Sequence, residues 1–187
     1  MKIGLINIEP KIHNTALMQI AMGYKQSNID VSWANTPVEY YKYDKLYCSS
    51  LFTFTDKSQI PKRTICGGSG FDIKKKLDKS KAKNQLDYSI YPECKTSYIW
   101  FSRGCIRNCP FCIVKQKEGK IRPVKPKQLN PNGKYITVMD NNFFANSQWK
   151  NAISFLKTSS QPVDFQGVDA RILTKEMCSA LNKLKHH

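Results

Sequence analysis

The chain has 187 residues, enough for one generous domain or two small ones, and its 41% apolar and 11% aromatic content suits a packed core rather than a disordered tail. Lys and Arg number 30 against 14 acidic residues, a formal charge of +16 that favours polyanionic partners such as nucleic acid. No apolar run approaches the roughly 20 residues that span a membrane, and Ile3 to Ile8 is too short for a signal-peptide core. The expectation is a cytoplasmic protein without a membrane partner. In that compartment seven cysteines argue against a disulfide framework and for metal binding or burial.

In chain order, KIGLINI from Lys2 reads as a strand buried on both faces. Ala16, Leu17, Ile20, Ala21 and Tyr24 recur at helical spacing, with Asn14 or Thr15 as N-cap. VSWA near Val31, KLYCSSLF from Lys45 and RTIC from Arg63 are further strands, the last running into Gly67, Gly68, Ser69 and Gly70. Residues 1–70 are therefore expected to form a small parallel-sheet α/β domain, abbreviated because no helix is evident between its later strands. The glycine run lacks a phosphate-loop frame and reads as a turn. Residues 71–96, with IKKKLDKSKAK, read as a charged connector. From Ser97 the pattern renews: SYIWFS is a strand, and YITVMD from Tyr135 is a second, ending in Asn141 and Asn142. A helix follows through Trp149, Ile153, Phe155 and Leu156. VDFQGV from Val163 is the third strand, and Thr174 caps a last helix through Met177, Leu181 and Leu184. Residues 97–187 thus hold three β/α units with polar residues at the strand C-terminal ends, the rim where catalytic groups collect in barrel-like folds.

SRGCIRNCPFC sets Cys105, Cys109 and Cys112 within eight residues. Such a loop can wrap three thiolates around three corners of an iron–sulfur cubane, the ligand type that clusters prefer. With no fourth ligand nearby, one iron of a [4Fe–4S] cluster stays open to chemistry. Gly104 permits a sharp turn into the first ligand, and Arg103 and Arg107 can tune the cluster by charge. Structural zinc is the competing reading, but it usually uses paired C-x-x-C units and no second pair is present. Cys94 is the one distant candidate for a fourth ligand. Cys66 and Cys178 fit apolar patterns and read as buried.

C-x-x-x-C-x-x-C after a strand and S-R-G, with an aromatic before the third cysteine, resembles the radical S-adenosylmethionine (radical SAM) superfamily. MDNNFFA and VDFQGVDARIL resemble second- and third-strand segments of members that carry a small flavodoxin-like, B12-binding-like α/β domain in front, and GGSGFD resembles the glycine-rich close of that front domain. The resemblance implies a partial (β/α) barrel of the radical SAM type from residue 97. It also implies binding of SAM at the open iron and, with one electron from an external donor, cleavage to methionine and a 5′-deoxyadenosyl radical that abstracts hydrogen from an unidentified substrate. By position, Phe111 would lie beside the adenine, and Asp140, Asn141 and Asn142 would meet the methionine amino group. Gln166, Asp169 and Arg171 would hold ribose hydroxyls or the carboxylate. The family's G-G-E at the second strand end is absent.

Two further departures stand out. Radical SAM barrels commonly use six β/α units, whereas three are present here and LNKLKHH reads as a helix in mid-course, which suggests a truncated form with open sheet edges. Cobalamin is not expected, because the D-x-H-x-x-G motif of such front domains has Lys11 for its Asp and Ala16 for its Gly around His13. An alternative from a different class is a basic nucleic-acid-binding module that uses the cysteine loop as a structural zinc or Fe–S staple without catalysis.

Overall fold

The computed structural model describes residues 1–186, and the chain divides into two compact units, Met1–Glu93 and a second from Cys94 onward. Both are α/β with parallel sheets. No helix among the described residues is long and apolar enough to cross a membrane.

In the first unit, β1 (Lys2–Ile6), β2 (Asp30–Trp33), β3 (Lys45–Ser49) and β4 (Ile65–Gly67) form a wholly parallel sheet in the order β2-β1-β3-β4. β1 is central, which explains its unbroken apolar run: Ile3 and Leu5, on alternate faces from Gly4 and Ile6, are both fully buried. Helix α1 (Thr15–Lys25) buries Leu17, Met18, Ile20, Ala21 and Tyr24. Its cap is Asn14, whose side-chain oxygen accepts from the N–H groups of Ala16 (3.1 Å) and Leu17 (3.3 Å), while its Nδ2 donates to Ser49 O at the end of β3 (3.0 Å). One residue thus starts the helix and ties it to the sheet. The β3–β4 connection is a series of turns, and Gly68 (φ +89°), just past β4, packs against the first residue of that connection: a Cβ there would lie 2.2 Å from Ser50 O.

The charged stretch expected to be a connector instead belongs largely to this unit. Leu86, Tyr88, Ile90 and Tyr91 are buried. Lys83 and Asp87 donate backbone N–H groups to Gln19 O and Met18 O of α1, and Lys25 pairs with Asp87 at 2.8 Å. The segment approaches α1 so closely that a Cβ on Gly23 would lie 2.0 Å from Lys81 O. Its lysines face water while a few apolar anchors, sparse and late in the segment, carry the packing. His13 is a loop residue against Tyr91 (4.9 Å between ring centroids) with its Nε2 3.5 Å from the Glu93 carboxylate.

In the second unit, β5 (Thr96–Ile99) is followed by a two-stranded antiparallel ribbon, β6 (Ser102–Arg103) with β7 (Arg122–Pro123). Between the ribbon strands lie the cysteine loop and the short helix α2 (Val114–Glu118). β8 (Tyr135–Val138), α3 (Trp149–Thr158), β9 (Val163–Phe165) and α4 (Lys175–Asn182) complete the unit. The main sheet is parallel, in the order β5-β8-β9, with Ile99 opposite Val138 and Val138 opposite Phe165. Its core gathers Ile99, Ile136, Val138, Phe143, Ile153 and Leu156. Phe143 is fully buried with Phe101, Phe144 and Phe165 packed against its ring, so truncation to Ala costs about 3–5 kcal/mol. The last described residues depart from the expected helix in mid-course, and His187 lies outside the described residues. α4 stops at Asn182, and Val163 donates its N–H to Lys185 O (2.7 Å), with His186 in a parallel bridge to Val163.

Candidate metal and cofactor cleft

Gly104 opens the cysteine loop at φ +85°, and a Cβ there would lie 2.4 Å from Lys120 O, so the loop's two ends meet only because this residue is glycine. Cys105 N–H donates to Gly119 O (3.3 Å), closing the loop across its base, and Cys112 N–H donates to Cys109 O (3.0 Å). Arg107 N–H points at Cys105 Sγ (3.3 Å), the kind of N–H···S contact that stabilises a thiolate bound to metal.

The loop faces a cleft of about 340 Å³ whose lining includes Cys105, Cys109, Phe111 and Cys112 together with Asn141, Asn142, Gln166, Asp169 and Arg171. These come from three chain segments far apart in sequence. Their meeting follows from the register of the parallel strands: β8 and β9 end side by side, Phe143 N–H donates to Gly167 O (2.9 Å), and a Cβ on Gly167 would lie 2.3 Å from Asp140 O.

Two carboxylates fasten the cysteine loop to those strand ends. Asp169 accepts Arg107 Nε at 2.7 Å and Arg171 Nε and Nη2 at 2.8 and 3.1 Å, besides the Arg171 N–H. Those bonds from Arg171 and Arg107 hold its pKa far below the usual carboxylate range. Glu118, at the end of α2, accepts Arg103 Nη2 (2.6 Å), Gly104 N–H (2.8 Å) and Asn141 Nδ2 (2.9 Å).

Four sequence expectations change in the light of the structure. Asp140 does not line the cleft. It is fully buried, its carboxylate accepts Phe101 N–H (2.8 Å) and the Ser102 hydroxyl, and burial raises its pKa against the opposing pull of those bonds. Its work is to hold the β5–β6 corner, not to meet a ligand. Asp169 lines the cleft, but its acceptor capacity is spent on the two arginines, which removes it as a holder of ribose hydroxyls. Cys94 is buried and outside the cleft lining, so it supplies no fourth ligand there, and Cys178, expected to be buried, is exposed.

Asn142 is the opposite case. It is 2% exposed, its Nδ2 reaches Asp169 only at 3.5 Å, and its Oδ1 is buried without a hydrogen-bond partner. A buried acceptor left unmade costs about 1–3 kcal/mol unless something donates to it. Gln166 lines the cleft with its Nε2 on Asp164 (2.5 Å), which leaves the amide oxygen available. The Phe111 ring is 89% exposed at the mouth. Glu118 and Lys115 were not singled out from sequence. The one usable signal for Glu118 was its isolation as the lone acid in a strongly basic stretch.

Among the described residues, no three Cys, His, Asp or Glu side chains converge closely enough to hold a single metal ion. The donor set nevertheless suits a cluster: three free thiols on one loop face one cleft, and a cubane takes its ligands at separate corners rather than around one point. A closed zinc site would need a fourth ligand that the cleft lining does not offer as Cys or His. Comparison with protein-family models, with curated proteins and with solved structures gave no match.

Proposed function

We propose that the second unit is a partial (β/α) barrel of the radical SAM type, holding a [4Fe–4S] cluster on Cys105, Cys109 and Cys112 and binding SAM in the adjoining cleft. The observation that carries this reading is the convergence on one cleft of the three-thiol loop with Asn142, Gln166 and Arg171 from two parallel strand ends. When bound, the reduced cluster supplies the electron that splits the sulfonium of SAM into methionine and a carbon radical able to take hydrogen from a substrate. The chain's own residues bind and orient. Asn142 Oδ1 suits an ammonium group, since a charged donor there satisfies a buried acceptor. Arg171 is aligned by Asp169 and carries a further guanidinium nitrogen for a carboxylate. The Gln166 amide oxygen suits a ribose hydroxyl, and the exposed Phe111 face suits the adenine.

Anaerobic reconstitution tests this directly. The expected result is about four irons and four sulfides per chain, an electron paramagnetic resonance signal of the reduced protein that changes when SAM is added, and 5′-deoxyadenosine on reduction. Cys109→Ala should lose the iron. Stoichiometric tight zinc with no iron uptake would sink the reading.

A further inference from the structure

We propose that the β6–β7 ribbon and its flanks bind the phosphate backbone of a single-stranded nucleic acid beside the cleft. Residues 103–127 hold eight of the chain's 30 Lys and Arg and a single acid, Glu118. That carboxylate is already taken by Arg103, the Gly104 N–H and Asn141.

The cations crowd together rather than disperse. Arg103 stands directly opposite Arg122 in the antiparallel pair, where like charges are unfavourable. Arg103 and Lys127 both lie against the indole of Trp100, at 5.2 and 4.8 Å. Burial pushes the Lys127 ammonium down to about 8, with the Arg103 charge acting in the same direction. Lys117 is lowered too, by burial first, with Glu118 and Arg103 opposing each other. A fold that concentrates cations around one spent carboxylate is relieved by anions arriving from outside.

Exposed Lys120, Arg122 and Lys125 extend the charge along the ribbon, and Lys115 carries it to the cleft lining. A row of separate cations matches a chain of phosphates better than a single small anion, which calls for donors converging on one point. The preference for a single strand rests on the cleft reading above: a radical formed there reaches only what enters, and a base stacked in a duplex does not. The ribbon's affinity for phosphates is independent of that reading.

The test is fluorescence anisotropy of the metal-free chain of 187 residues with labelled RNA and DNA oligonucleotides of about 20 nucleotides, single-stranded and duplex, over a salt series. Replacing Arg122, Lys125 and Lys127 together by Gln should weaken single-strand binding at least about tenfold. It should also flatten the log–log salt dependence by about 2, at roughly 0.7 per phosphate contact. The exposed single change Lys125→Gln, which threatens the fold least, should flatten it by about 0.7. A control with the same change of charge, Lys74→Gln with Lys75→Gln and Lys76→Gln, should leave both quantities unaltered. Equal losses in the two triple variants, or no binding by the unmodified chain, would overturn the proposal. So would ribbon-dependent capture of anionic vesicles or polyglutamate without capture of nucleic acid. Duplex bound as tightly as single strand would overturn the single-strand preference, and the RNA-to-DNA ratio identifies the source. Binding is read on the metal-free chain, so a separate failure of iron uptake judges the cleft reading and not the ribbon.

Discussion

Asn142 and Asp140 stand two residues apart at the end of β8 and have opposite fates. Asp140 turns back into the fold and is saturated by Phe101 and Ser102, whereas Asn142 keeps a buried acceptor unpaired in the cleft. An unpaired acceptor is a cost to the empty protein and an asset to the loaded one. Asn142→Leu, close in size and without the polar atoms, should therefore leave the melting temperature of the metal-free chain unchanged or slightly raised. The same variant should weaken SAM binding about tenfold, read from the SAM-induced change in the electron paramagnetic resonance signal and equivalent to roughly 1.4 kcal/mol. A variant that melts well below the parent while keeping its SAM affinity would show that Asn142 acts only in folding. Glu118 is a positioning residue by the same logic. Glu118→Gln keeps the size but puts an amide N–H₂ among donors from Arg103, Gly104 and Asn141. It should slow iron uptake and loosen the loop without removing a ligand, and Glu118→Asp should recover less than half of the uptake rate because the shorter side chain cannot reach all three donors (about half being an order-of-magnitude expectation for lost charge-assisted bonds).

At the scale of elements, the loop after β3 shows how one carboxylate secures a strand end. Glu9, 8% exposed, accepts the N–H groups of Leu51 and Phe52 and the hydroxyls of Ser50 and Thr55. Burial alone would raise its pKa, but the bonds from Leu51, Ser50, Thr55 and Phe52 together outweigh it and the net shift is downward. The sign follows: with the folded pKa below the unfolded value, near 4.5, the stabilisation is present above that value and is lost as pH falls through the folded one. Glu9→Gln should cost about 1–3 kcal/mol at neutral pH and should reduce the acid sensitivity of the unfolding midpoint below pH of about 4.5. Denaturant titrations at neutral and acid pH would decide; an unchanged pH profile would remove Glu9 from that role. Glu9 could not be read from sequence, because nothing local in NIEP distinguishes a carboxylate that meets residues some 40 positions away from one in solvent. The same reason hid the fates of Asp140 and Asp169. Periodicity identified β1, α1 with its cap narrowed to Asn14 or Thr15, and the three strands of the cysteine-loop half, since those depend on neighbours in sequence. The run 71–96 reads as a connector because its lysines dominate composition, while Leu86, Tyr88, Ile90 and Tyr91, few and late in the run, are buried.

At the scale of the whole molecule, the parallel sheets belong to two units that differ in what they lack. The first closes its loops on Glu9, Asn14 and the glycine turn, and burial pushes the Cys48 thiol up to about 12, where it stays protonated and inert. The second carries three thiols on one loop facing one cleft, which on the proposed reading a cluster would bridge, and cations crowded beside that loop. Binding to the native state stabilises by mass action, and its effect is confined to the structure that the ligand organises. Cluster reconstitution should therefore slow amide hydrogen exchange across residues 104–121 and at the strand ends 140–142 and 166–171 by about tenfold or more, the response of local opening to a ligand well above its dissociation constant. Amides of residues 1–93 should exchange as before. Removing the cluster with a chelator under oxidising conditions should restore the original pattern, and Cys109→Ala should never acquire the protected one. Protection spread evenly over both units would mean that the metal acts on the whole chain's folding rather than on the cleft, and no protection in residues 104–121 would detach the cysteine loop from metal binding altogether.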